Sequence, residues 1–284
     1  MIRKTISLFA VCGLAMVALI SCGGSSNSLP TTTTLAPLTA VEAATIALPY
    51  FENFAMNTEG GFDRMKALAK ANSFAEKYFE HQRYLSWAGG GDTEASEIRR
   101  DGATIKLCSR QNTFDDSCAS YSKYSNFTLS SDHTKVDTFD IQDEPLQDRI
   151  GSSSQELPCK VYNGSDCAQN GDSLRLTVLS VYLSARDNLS ITYKFQRGSK
   201  WSYDMRVKGV RITRPNGSKV SSDDFSKGMP NKGKTKFGYA SFEGLRGVFS
   251  PTESLEGELI VQWQGFTDSS SYKFTIGSDS GTAT

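Results

Sequence analysis

Between Leu189 and Phe195 the chain alternates without a break: Leu189, Ile191, Tyr193 and Phe195 are apolar, and Ser190, Thr192 and Lys194 are polar. A period of two sends successive side chains to opposite faces of an extended strand, a pattern no helix can satisfy. LRLTVLSVYLS (174–184) precedes this run and MRVKGVRIT (205–213) follows it, with Gly209 expected to mark a bulge. Arg214-Pro215-Asn216-Gly217 reads as a turn, its proline set for the second position. Phe237–Phe242, Leu259–Trp263 and Tyr272–Ile276 follow. Six or seven short strands in roughly 110 residues predict a β-sandwich over 172–284.

The earlier half has a different rhythm. Thr39 with Glu42 forms a capping box, and Val41, Thr45, Leu48 and Phe51 follow at helical spacing. Pro49 should kink this helix or end its first half, and Gly60-Gly61 should break the chain. Asp63 then caps a second helical region, interrupted near Asn72 and Ser73, with Met65, Leu68, Ala75, Phe79 and Leu85 on its apolar side; Gly89–Gly91 ends it. Glu97–Arg100 and Ala103–Cys108 flank Asp101-Gly102, a type I′ hairpin signal. Residues 120–130 and 135–141 pair around SSDHT. Helices followed by a short antiparallel sheet make 39–150 an α+β domain, and 151–171, GSSSQELPCKVYNGSDCAQNG, reads as a linker.

Residues 1–21 have a basic start, Arg3 and Lys4, and an apolar run from Ile6 to Ile20 that is short for a membrane span. The run ends in Leu19-Ile20-Ser21-Cys22, which resembles the lipobox of bacterial lipoproteins. The resemblance implies cleavage before Cys22 and a thioether-linked diacylglycerol on it, with palmitate among the acyl chains. Two chains suffice for stable attachment to a membrane. It places the protein, lipid-anchored, on the extracytoplasmic face of a bacterial cell membrane. The rival reading is an ordinary signal with a chance cysteine, or an uncleaved anchor. Residues 22–38, rich in Gly, Ser, Thr and Pro, bury nothing and form a flexible tether.

Four cysteines remain: Cys108, Cys118, Cys159 and Cys167. Three connectivities are open; Cys108–Cys118 and Cys159–Cys167, each bracketing a polar loop, are the expected disulfide staples of an oxidising compartment. A zinc site is the rival, but there is no CxxC and no nearby His pair. Charge is uneven. Residues 22–159 carry 12 basic and 19 acidic side chains, and residues 160–284 carry 17 and 12. Besides simple domain individuality, this fits a basic half facing anionic headgroups or an anionic envelope polymer. Nothing clusters tightly enough for nucleic acid.

The C-terminal third, with NLSITYKF leading to a G-x-R-I-x-x-P-N-G turn and a late GELIVQW strand, resembles the immunoglobulin-like domains of bacterial exported lipoproteins. The N-terminal domain, with AEKYFEHQRYL leading to the paired cysteines, is loosely similar to the cone-shaped NTF2-like fold. That resemblance implies a pocket inside the cone. Residues 124–150 resemble exported lipoproteins of high-GC Gram-positive bacteria, a family with no assigned activity and so no functional residues to carry over.

The chain has two histidines. His81 sits on a helix beside Glu80 with Tyr78 and Tyr84 nearby, a candidate pocket cluster, though surface or boundary packing is the plainer reading; His133 falls in a hairpin turn. No second clustered His supports a metal, Asp115-Asp116 and Asp223-Asp224 lack EF-hand spacing, and there is no G-x-S-x-G elbow. Tyr121, Tyr124, Phe127, Phe139, Trp201 and Trp263 at period two fill cores more readily than they line a groove. No catalytic residue, metal or cofactor is expected. The expected role is non-enzymatic binding or scaffolding in the cell envelope, toward an envelope protein or anionic polymer, since a sandwich edge is a common protein-binding surface. The alternatives are a small-molecule or lipid carrier, or a hydrolase or isomerase using His81, in an N-terminal cavity.

Overall fold

The computed structural model describes residues 35–90, 97–108, 120–157, 174–184, 186–200, 204–245, 255–263 and 269–276. The signal, Cys22, most of the tether, Asp115-Asp116, Cys118, Cys159, Cys167 and Trp201 lie outside them. Pro37–Thr284 forms one compact unit. Among the described residues no helix is long and apolar enough to cross a membrane.

Helix α1 (Ala40–Ala55) opens on the capping box: Thr39 Oγ1 accepts from the Glu42 amide at 3.3 Å, and Glu42 Oε2 accepts from the Thr39 amide at 2.8 Å. The helix runs on through Pro49 rather than ending there. Ala44, Ala47, Tyr50 and Phe51 bury one stripe of it, and that packing outweighs the one backbone bond proline removes. Helix α2 (Glu59–Leu68) begins earlier than the sequence suggests. Thr58, not Asp63, caps it by accepting from the Gly61 amide at 3.1 Å, so Gly60-Gly61 forms its first turn instead of a break. Gly61 is there for space: a Cβ would stand 2.6 Å from the Asn53 carbonyl oxygen of α1. Ser73 caps α3 (Phe74–Trp87) by accepting from the Glu76 amide.

A five-stranded antiparallel meander follows: β1 (Glu97–Asp101), β2 (Thr104–Cys108), β3 (Ser120–Leu129), β4 (Val136–Ile141) and β5 (Glu144–Pro145), in that spatial order. The first hairpin turns one residue later than expected, because Asp101 pairs with Thr104 and leaves Gly102-Ala103 as the loop. Only Gly102 takes a positive φ, +58°, so the turn has the pattern of type II′ rather than I′. Asp101 stays in the strand, where its carboxylate meets Lys106 Nζ at 3.0 Å. Helices and meander enclose an aromatic core in which the Phe51 ring lies 4.3 Å from Tyr124 and 5.1 Å from Phe139, between centroids.

The rest is β: β6 (Ile150–Leu157), β7 (Leu174–Leu183), β8 (Leu189–Arg197), β9 (Met205–Thr213), β10 (Lys219–Ser221), β11 (Asp224–Phe225), β12 (Thr235–Phe242), β13 (Leu255–Trp263) and β14 (Ser269–Ile276). A five-stranded sheet, β11-β12-β8-β7-β6, packs against a four-stranded one, β10-β9-β13-β14. Ile191, Tyr193 and Phe195 from the first and Val210, Leu259 and Phe274 from the second share one core. The expected bulge is at Gly209: Ile260 pairs with Gly209 and Val261 with Val207, leaving Lys208 extra. Residues 151–157, read from sequence as the start of a linker, are strand, with Gly151 opposite Val181 and Leu157 opposite Leu176. GSSSQEL has no apolar alternation of its own, and β7 imposes its register.

Candidate ligand groove

The alternation in β8 sends its apolar half into the sandwich and its polar half toward α3. His81, on α3, is fully buried on that polar face. Its Nδ1 lies 2.8 Å from Ser180 Oγ and its Nε2 2.8 Å from Ser190 Oγ. Ser190 donates its proton to the Tyr182 carbonyl at 3.3 Å, so it accepts from a His81 Nε2–H. Nδ1 then accepts from Ser180, which in turn accepts from Thr192 Oγ1 at 2.6 Å. Burial pushes the imidazole down to about 3, so it stays neutral. With both nitrogens engaged and no exposure, His81 is a latch between helix and sheet and has no route to a substrate. Sequence reasoning placed it at a surface or boundary; the structure puts it in the interior.

Tyr78 is also buried. Its hydroxyl lies 3.3 Å from that of Tyr124, and burial pushes it well above the usual phenol range. The space between helices and meander, where an NTF2-like cone would hold its pocket, is occupied by Tyr50, Phe51, Tyr78, Tyr124 and Phe139. Phe127 packs partly buried against the same cluster. His133 takes the left-handed region, φ +58°, in the β3–β4 turn. The Asp223 carboxylate accepts from the Glu243 amide at 2.8 Å, and Asp224 accepts from the Phe225 amide and the Tyr239 hydroxyl. Among the described residues no group of three or more His, Cys, Asp or Glu is placed to hold a metal ion. Cys108 ends β2 and is buried.

Of the three residues in the candidate pocket cluster, Tyr84 alone lines an opening. This is a groove of about 250 Å³ where α2, α3 and the outer face of the five-stranded sheet meet. Phe79 and Leu179 supply its buried apolar side. The Tyr84 and Phe237 rings stack at 5.4 Å and 8°, and the Trp87 ring lies 4.6 Å from Phe237. Trp87 is 42% exposed, yet it is fixed in place. Its Nε1 donates to Glu59 Oε2 at 2.8 Å, and the Arg83 guanidinium lies over its ring at 4.5 Å. Arg83 also pairs with Glu59 and, at 3.4 Å, with Asp63, while its buried Nε has no hydrogen-bond partner.

Lys66, Glu80 and Lys194 complete the lining. Half-burial raises the Glu80 carboxyl, with Glu76 adding to the rise and Lys66 and Arg83 opposing it. Burial also raises the Tyr84 hydroxyl, helped by Glu80. The groove thus offers rings, N–H donors and one carboxylate acceptor, with no nucleophile beside a base. It can hold a ligand. Sequence reasoning missed Lys66, Arg83, Trp87, Lys194 and Phe237. The available signals were the spacing of Tyr84 and Trp87 at i and i+3 on α3, and Lys194 on the polar half of a strict alternation.

No protein-family model and no curated protein matches this chain. Among solved structures, a family 123 glycoside hydrolase from Clostridium perfringens is similar over 32% of this chain and 21% of its own, at 10% identity and a TM-score of 0.24. A likeness that faint carries no argument about fold or activity.

Proposed function

We propose that this chain is a lipid-anchored protein of the extracytoplasmic face of a bacterial membrane, binding or scaffolding in the envelope without catalysing a reaction. The observation that carries the binding half is Trp87. An indole that served only to fill space would turn inward. This one stays 42% exposed while Glu59, Arg83, Tyr84 and Phe237 hold it. A rigid, solvent-facing aromatic beside a groove is how binding anchors are built. The anchoring half rests on LISC and Cys22, with the tether up to residue 38 holding the groove off the bilayer. Cys108–Cys118 and Cys159–Cys167 staple their loops.

The C-terminal part is read as immunoglobulin-like. Strand order supports this: β11-β12-β8-β7 against β10-β9-β13-β14 follows D-E-B-A against C′-C-F-G, with β6 added beyond A. It departs from the antibody pattern in having no cysteine after Cys167, hence no disulfide between its sheets. The helices and meander are read as a relative of the NTF2-like cone with its interior filled, which leaves ligand binding to the outside. The occupant is an envelope protein or an anionic envelope polymer. Carrier and hydrolase readings both need an N-terminal cavity, and the aromatic core leaves them without support.

The test is native mass spectrometry of the full chain, extracted gently from its own membrane, beside Trp87→Ala. A diacyl mass on Cys22 in both, with a co-purifying ligand or stoichiometric partner in wild type only, is the expected result. Absence of the diacyl mass rejects the anchor. A bare chain in both proteins rejects the groove as a binding surface.

A further inference from the structure

Resting on that reading, we propose that the groove takes one anionic sugar unit, a single saccharide ring bearing a carboxylate or a phosphate. Size comes first. About 250 Å³ lies below the roughly 300–1,000 Å³ of sites for drug-sized ligands, so it fits one ring and little more. Charge comes second. Lys66, Arg83 and Lys194 line the groove together with a single carboxylate, Glu80. Arg83 is already matched by Glu59 and Asp63, whereas among the described residues Lys66 and Lys194 have no ion-pair partner. Lys194 is half-buried, with Phe237 opposite it across the ladder, and an ammonium without a counter-ion favours an incoming anion.

Surface chemistry comes third. A bare phosphate would make no use of the exposed Trp87 ring or of the part-exposed Tyr84 and Phe237 rings, and an apolar ligand would leave the two lysines without an anion. A sugar acid or sugar phosphate satisfies both: its C–H face lies on the aromatic wall, and its charged group reaches Lys194 and Lys66. Glu80, which would repel a naked anion, accepts from the ring hydroxyls. The unpartnered Arg83 Nε offers one further buried donor.

The experiment uses the full chain in detergent micelles, ¹⁵N-labelled at tryptophan, titrated with sodium glucuronate, glucose 6-phosphate, glucose and inorganic phosphate. The chain has three tryptophans, and Trp87→Phe identifies the Trp87 indole signal. The expected result is that glucuronate or glucose 6-phosphate shifts the Trp87 signal and binds at least about tenfold more tightly than glucose or phosphate. Whichever of the two binds more tightly tells whether carboxylate or phosphate is the recognised charge. Lys194→Gln and, separately, the exposed Lys66→Gln should each reduce that preference by about tenfold with an unchanged melting temperature. Equal affinity for glucose and its charged relatives, or no movement of the Trp87 signal with any of the four, overturns the proposal. If that happens while native mass spectrometry still finds a ligand dependent on Trp87, the groove remains a binding site and only the sugar-acid assignment falls. If both fail, the groove itself falls.

Discussion

At the scale of single residues, His81 shows how a histidine can be fully hydrogen-bonded and still chemically silent. Ser180 and Ser190 take its two nitrogens, and the ring of Tyr182, itself a raised phenol, lies 5.4 Å away. Among the described residues no carboxylate touches it to stabilise an imidazolium. Its folded value, about 3, lies below the ordinary 6.5, so the unfolded chain binds this proton first as pH falls. The stability it contributes is therefore complete above about pH 6.5 and drains away as pH falls toward 3, by about 2 kcal/mol at pH 5 and roughly 4 kcal/mol at pH 3.5. Urea midpoints of wild type and His81→Gln across this range should give a steeper acid loss in wild type. Parallel curves would mean that the imidazole is protonated in place.

At the scale of elements, α2 offers a sharper contrast than its sequence suggests, because its two adjacent glycines do different jobs. A Cβ on Gly60 meets only Arg64 Nη1, at 3.6 Å, whereas one on Gly61 stands 2.6 Å from a backbone oxygen of α1. Gly60→Ala should be neutral to stabilising by up to about 1 kcal/mol through helix propensity. Gly61→Ala should cost about 1–3 kcal/mol, since the α1–α2 contact must open to admit the methyl group. Urea unfolding of both variants checks this, and similar effects at the two sites would sink the argument. The pair also marks how far the sequence could be read. Where an element carries its own signal it was legible: the Thr39–Glu42 box, the alternation of β8, the proline turn after β9. Where a neighbour imposes the structure it was not. Gly60-Gly61 reads as a break without α1 beside it, and GSSSQEL reads as a linker without β7. The groove was hidden for the same reason, since Lys66, Trp87, Lys194 and Phe237 come from four elements that only the tertiary fold brings together.

At the scale of the molecule, the question is whether the helix-and-meander part and the sandwich are separate folding units, as the sequence reading of a linker has it. Three features join them. β6 leaves the meander and enters the sandwich sheet directly. Tyr182 of β7 belongs to the helical core, its ring 5.4 Å from that of Tyr78. Arg149, 2% exposed, donates from Nη1 to the carbonyls of Leu183 and Ser184 and from Nη2 to Glu144 at 2.5 Å, tying the end of the meander to the end of β7. Such an interface shares apolar side chains between both cores, so neither half can open without exposing part of the other. Global unfolding should therefore be one transition, with coincident curves by helical circular dichroism and tryptophan fluorescence. Native-state hydrogen exchange should assign the same opening free energy to the amides of Phe139 in β4 and Ile191 in β8. Tyr182→Ala should lower both by a common amount of about 3 kcal/mol, the scale of a deleted core aromatic. A drop confined to the Phe139 amide, or two resolved transitions, would show two domains that merely touch. The groove, built from α2, α3, β7, β8 and β12, would then depend on how they dock rather than on one rigid frame.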